Sequence, residues 1–110
     1  MDEKIMARDW STEFITLMQN RIEVSHHKYG WMSQTYPELA QAERQIEERL
    51  YKYREIGNTE WLVDIANFAM IEFMYPSHSN AHFRATDSKE SPGLVGGISY
   101  KEMMEELNNG

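Results

Sequence analysis

Two groups of side chains in this chain have types and spacings that could do chemistry. The first is made of carboxylates. Glu60 and Asp64 are four residues apart, and so are Glu43 and Glu47. On a helix that spacing stacks each pair on one face. Were the two helices to lie antiparallel, four carboxylates would surround one cavity. They would repel unless a divalent cation lay between them, and magnesium takes oxygen ligands and shares its shell with phosphates. Asn67, one turn beyond Asp64, is placed to assist a ligand or Asp64, or to fix helix register as a buried amide. The plainer reading of Glu43 and Glu47 is two solvated positions beside Arg44 and Arg49. For Glu60 it is an acid in a first helical turn, which the helix dipole favours.

The second group is a polar loop. His82, Phe83, Arg84, Thr86, Asp87, Ser88 and Lys89 follow in quick succession. Arg84 has the fork geometry to grip a phosphate, His82 and Lys89 add charge, and Thr86 and Ser88 add hydroxyls. Phe83 offers a face on which a base could stack. His78 and His82 have the spacing of a helical metal pair, but zinc needs a third ligand. The alternative is a solvated loop with no ligand. At the end of the first helix, His26, His27 and Lys28 suit the dipole without any further role.

These residues must be positioned by helices. The chain has 110 residues, enough for one domain, with 41% hydrophobic and 26% charged residues, a globular composition. The reading is a single all-α domain over 1–110. Trp10, Phe14, Leu17, Met18 and Ile22 recur at helical spacing, predicting a first helix over about 10–27 after a frayed lead-in, with Asp9 or Ser11 as cap. Trp31 is expected on the core. Pro37 suits the first position of a second helix over about 37–56, with Leu39, Ala42, Ile46, Leu50, Tyr53 and Ile56 as its apolar stripe. Gly57 stops it, Asn58 or Thr59 caps a third helix over about 59–75, and the two form an αα-hairpin. The third helix is apolar nearly all round, apart from an arc roughly 60° wide that carries Glu60, Asp64 and Asn67. Such a helix is buried, centrally or in a subunit interface, so a homo-oligomer is expected. A functional or mobile loop spans 77–97. Ser99 and Glu102 then fit a capping box for a short C-terminal helix with Tyr100, Met103, Met104 and Leu107 on its apolar side.

Composition narrows the partners. The net charge of −7 argues against direct contact with nucleic acid or an anionic membrane. No apolar run is long enough to cross a bilayer, and the N-terminal residues lack the apolar stretch of a signal peptide. The chain has no cysteine, which removes disulfides and thiolate chemistry and fits a cytoplasmic setting.

The stretch KYREIGNTEWLVDIANFAMIEFMYPSHSNAHFRATDSKESPG resembles a segment of small, mostly uncharacterised proteins of bacteriophages and their hosts. The resemblance covers about residues 50–93 and implies a phage-related origin, in a host cytoplasm, without bringing an activity. The paired helical carboxylates, preceded by HKYGW, are more loosely similar to the all-α nucleoside triphosphate pyrophosphohydrolases of the MazG type. That likeness implies magnesium on Glu43, Glu47, Glu60 and Asp64, attack by a metal-bound water, and phosphates held by Arg84 and Lys89. Those enzymes space each acidic pair by three residues, whereas here the spacing is four. The departure tips the expectation from hydrolysis toward binding of a nucleotide or a nucleotide-derived signal, sequestered to counter host defence. A third class is an acidic protein that inhibits a host defence enzyme directly.

Overall fold

The computed structural model describes residues 1–87, 89, 90, 104 and 107, and the described elements are all helical. They are α1 (Glu3–Asp9), α2 (Thr12–Tyr29), α3 (Met32–Thr35), α4 (Ala42–Ile56) and α5 (Glu60–Met74). None is long and apolar enough to cross a membrane.

The beginning of the chain differs from expectation. The lead-in is itself a helix, because the Asp2 carboxylate accepts from the Lys4 amide at 2.7 Å and caps it. Ser11 then takes over as cap for α2, accepting from the Phe14 amide at 3.0 Å. Trp10, between the two helices, is therefore extended and exposed rather than part of the α2 stripe. α2 ends where Gly30 adopts a positive φ of 81°, a conformation that glycine reaches without steric cost.

Pro37 does not open a helix. The Thr35 carbonyl accepts from the amides of both Leu39 and Ala40, at 2.9 Å each. That turn occupies the backbone groups that a helical first turn would use, and α4 starts only at Ala42. Leu39 is left outside the stripe and exposed, as is Ile56 at the other end. Ala42 is buried and Ile46, Leu50 and Tyr53 are half-buried, so the middle of the predicted stripe packs as expected.

The α4–α5 hairpin forms as predicted. Gly57, with φ 72°, caps α4 in the left-handed region and donates its amide to the Tyr53 carbonyl. Asn58 supplies the acceptor for the new helix, its Oδ1 taking the Glu60 amide at 3.0 Å. The small core is built where α2, α3, α4 and α5 meet. Tyr36, Ala42 and Ile71 are buried there, with Ile22, Met32, Phe68 and Tyr75 packed on them. Trp31 is not part of it. It is 64% exposed, and its ring touches that of His26, centroid to centroid 4.3 Å.

The third predicted helix, α5, is not covered all round. Val63, Asp64, Asn67 and Ile71 are buried, whereas Met70, Phe73 and Met74 face outward. Their i, i+3 and i, i+4 spacing puts these three on one exposed face. After α5 the chain leaves the helical body, and residues 76–87 are exposed throughout. The remainder of the expected 77–97 loop, and Ser99, Tyr100, Glu102 and Met103, lie outside the described residues. Met104 and Leu107 are helical and exposed.

Candidate functional site

The polar stripe of α5 is organised around Asp64. Its residue exposure is only 8%, and a carboxylate so placed needs compensating charge. Two arginines provide it. Arg21 Nε of α2 donates to Oδ1 at 3.3 Å, and Arg49 Nε of α4 donates to Oδ2 at 3.4 Å. Arg21 also reaches Glu60 at 3.7 Å, one turn up the helix, so Glu60 and Asp64 share a face as their spacing requires. Arg49 is fixed further by Gln45, whose side-chain oxygen accepts from Nη1, and by Phe68, whose ring centre lies 4.4 Å below the guanidinium. A cation over an aromatic face is attracted by the ring quadrupole.

Asn67 plays the register role. Its Nδ2 donates to the Met18 carbonyl at 3.1 Å, tying α5 to α2. Its Oδ1 is buried and has no partner.

The expected four-carboxylate cavity is not assembled. Gln45 and Arg49 turn toward α5, and Glu47, two residues before Arg49, lies roughly 200° around the helix from it. Glu43 and Glu47 are exposed. Glu47 borders a shallow hollow with Glu48, Tyr51, Lys52 and Glu55. Among the described residues, no group of three or more His, Asp or Glu side chains is placed to share an ion. The physical reason is the rotation of α4, which brings Arg49 to Asp64 and leaves Glu43 and Glu47 on its exposed side.

The loop residues stand apart from this centre. His82, Phe83, Arg84, Thr86, Asp87 and Lys89 are all exposed, and Ser88 lies outside the described residues. Asp87 Oδ1 accepts from the Lys89 and Glu90 amides at 2.8 and 3.0 Å, closing a local turn. Arg84 forms a two-pronged pair with Glu90, Nη1 donating to Oε1 at 3.1 Å, and this hydrogen bond to the carboxylate raises the Arg84 pKa. Its fork is thus already engaged by an acid of its own loop.

What the tertiary structure builds instead is a cleft of about 500 Å³ over the Asp64 centre. Its walls include Arg21, Lys28 and Arg49, the aromatic rings of Tyr29, Tyr36 and Phe68, and the polar ends of Gln45, Asp64 and Asn67. Three cations and one carboxylate line this cleft, a local positive excess in a chain of net charge −7. Arg21, Lys28, Tyr36 and Arg49 escaped the reading of site residues from sequence. Helix α2 does carry a signal: Arg21 and Lys28 are seven residues apart, hence on one face.

Tyr36 sits at the base of this cleft. Burial pushes its phenol above the ordinary 10.0, opposed by the nearby Arg49 charge. The native state therefore holds the phenolic proton more tightly than the unfolded chain. The resulting stability is whole below pH 10.0 and is lost as the pH climbs through the raised value. An ultraviolet titration should show a tyrosine component above pH 10.0 that disappears in Tyr36→Phe. An unchanged titration curve in that variant would refute the assignment.

Comparison with known proteins finds no match to any family model, to any curated protein or to any solved structure.

Proposed function

We propose that this chain is a phage-type binding protein that captures a nucleotide or nucleotide-derived signal, and that the cleft over Asp64 is its binding site. The observation that carries the reading is the pairing of Arg21 and Arg49 with the buried Asp64, in a cleft also lined by Lys28 and by the rings of Tyr29, Tyr36 and Phe68. Forked cations suit phosphate oxygens, and aromatic walls suit a base. The cleft volume of about 500 Å³ lies within the roughly 300–1,000 Å³ of small-molecule sites. The arginines are held in place before any ligand arrives, by Asp64, Gln45 and Phe68, which lowers the entropic cost of binding.

Binding without turnover fits the placement of the acids. Asp64 is neutralised by arginines, and Glu43 and Glu47 lie on the exposed side of α4. Such a protein would act by sequestering its ligand, the role expected of an agent against a nucleotide-based host defence.

The test is calorimetric titration with a panel of mono-, di- and cyclic nucleotides, with and without magnesium, followed by recovery of the ligand from denatured protein. Saturable binding and unchanged ligand are expected. Magnesium-dependent cleavage between phosphates would replace this reading with the hydrolase. No binding to any member of the panel, together with retention of a host protein, would replace it with the direct inhibitor.

A further inference from the structure

The rings and cations of the cleft over Asp64 are not equally open to a ligand. On its floor Tyr36, Asp64 and Asn67 are buried, whereas on its rim Tyr29 is 70% exposed and Leu39 81%. The floor rings are already engaged. Tyr36 packs on Phe68 with ring centroids 6.2 Å apart, and Arg49 covers the Phe68 ring. Among the described residues, Tyr29 pairs with no other ring and no cation. The arginines are each held at one end only. Arg21 gives Nε to Asp64 and turns Nη1 toward Glu60. Arg49 gives Nε to Asp64 and Nη1 to Gln45. The Nη2 group of each has no partner among the described residues, and Lys28 makes no ion pair with them.

We propose that a nucleotide enters this cleft phosphate first, onto the Nη2 groups of Arg21 and Arg49, stacks its base on Tyr29 at the rim, and is held without regard to which base it carries. The inference rests on the cleft being a nucleotide site, and it adds the ligand's direction and the residue that meets the base. Charge sets the direction. An anion gains most where the cations are least screened, and Arg49, 22% exposed, lies deeper than Arg21 at 44%. Ring availability sets the other end, because Tyr29 is the ring in the lining with an open face. The neutral polar groups explain the tolerance. A base is told from another by side chains that hydrogen-bond its edge. Asn67 gives Nδ2 to the Met18 carbonyl, and its Oδ1 is enclosed. Gln45 Oε1 is taken by Arg49, and Thr35 Oγ1 donates to the Met32 carbonyl. Ser25, four residues after Arg21 and three before Lys28, shares the cationic face of α2 and so belongs to the phosphate end. What remains for the base is stacking, which every base supports through its π-face.

Calorimetric titration of the full chain with AMP, GMP, CMP and UMP should give dissociation constants within about tenfold of one another. Ribose 5-phosphate, which lacks the base, should bind roughly 5- to 150-fold more weakly than AMP, the range of one stacked base. Adenosine, which lacks the phosphate, should bind about a hundredfold more weakly or not at all. Tyr29→Ala should weaken AMP by the same factor as removing the base, and leave ribose 5-phosphate unchanged. Tyr29→Phe should restore AMP binding, because it keeps the ring. Circular dichroism checks that both variants stay helical, as the exposure of Tyr29 leads one to expect. AMP binding untouched by Tyr29→Ala overturns the inference. Equal losses for AMP and ribose 5-phosphate also overturn it, since a merely structural role would produce them. A spread wider than tenfold among the four bases, or adenosine bound as tightly as AMP, overturns it as well. All of these results leave the nucleotide reading standing. Failure of every monophosphate to bind overturns the inference too, and di- and cyclic nucleotides titrated alongside then decide whether the nucleotide reading falls with it.

Discussion

Asp64→Ala is expected to lower stability by about 3 kcal/mol, since it leaves the Arg21 and Arg49 guanidinium groups without their shared carboxylate. The magnitude follows from burial. The Asp64 side chain is 11% exposed and that of Arg49 22%, so this arm of the network is poorly screened. Arg21 is 44% exposed, and solvent absorbs much of the loss there. For a domain of this size the melting midpoint should fall by roughly 10–20 °C. Thermal or urea unfolding followed by circular dichroism measures it. A loss below about 1 kcal/mol would mean that the arginines relax freely into water, and that the pairing is only a surface feature. The same variant separates two views of the carboxylate. If Asp64 serves to hold a cation, added magnesium should stabilise the wild type and lose that effect in Asp64→Ala. If it serves to fix the arginines, magnesium should leave both proteins unchanged. Asp64→Asn retains one acceptor oxygen and removes the charge. It should destabilise less, while tightening the binding of an anion in the cleft, because a competing negative charge is gone.

Arg49→Ala is expected to weaken nucleotide binding by roughly 30- to 100-fold, the range of a lost charge-assisted fork at a partly buried site. Three contacts make Arg49 the better-ordered of the two forks: Asp64 at 3.4 Å, the Phe68 ring at 4.4 Å and the Gln45 side chain. Arg49→Lys should recover little, because an ammonium lacks the planar fork and stacks less well on an aromatic face. Calorimetry gives the affinity, and the unfolding curve of each variant shows how much of the effect is structural. Arg84→Ala is the comparison. If the loop were the binding site, that substitution would cost as much as Arg49→Ala. With the cleft as the site, it should leave the affinity unchanged and remove only the Glu90 pair. An Arg49→Ala protein that binds nucleotides as the wild type does would move the site away from the cleft.

Much of the fold is legible in the residues themselves. Gly30 and Gly57 end helices because their backbones enter the left-handed side of conformational space. Ser11 and Asn58 begin helices because their oxygens can reach the first free amides. Short connections then force α4 against α5. The misplaced start of α4 comes from a competition that sequence rules do not weigh. Pro37 is compatible with a first helical turn, but the Thr35 carbonyl captures the Leu39 and Ala40 amides first.

The site was half legible. An acid and an amide on an otherwise apolar helix single out Asp64 and Asn67, since burying either without a partner is costly. Their partners could not be read in the same way. Arg21 is 43 positions from Asp64, and Arg49 is 15. At such separations, local periodicity carries no information about which side chains meet. Glu43 and Glu47 satisfied the same spacing rule as Glu60 and Asp64, but the rotation of α4 presents Gln45 and Arg49 to the interior instead. The sequence by itself determined that the buried face of α5 would carry a charge needing compensation, because helical geometry fixes which residues share a face. Only the tertiary structure decided that arginines supply that compensation. Helix rotation and packing, set by contacts distant along the chain, choose which groups arrive at a buried carboxylate.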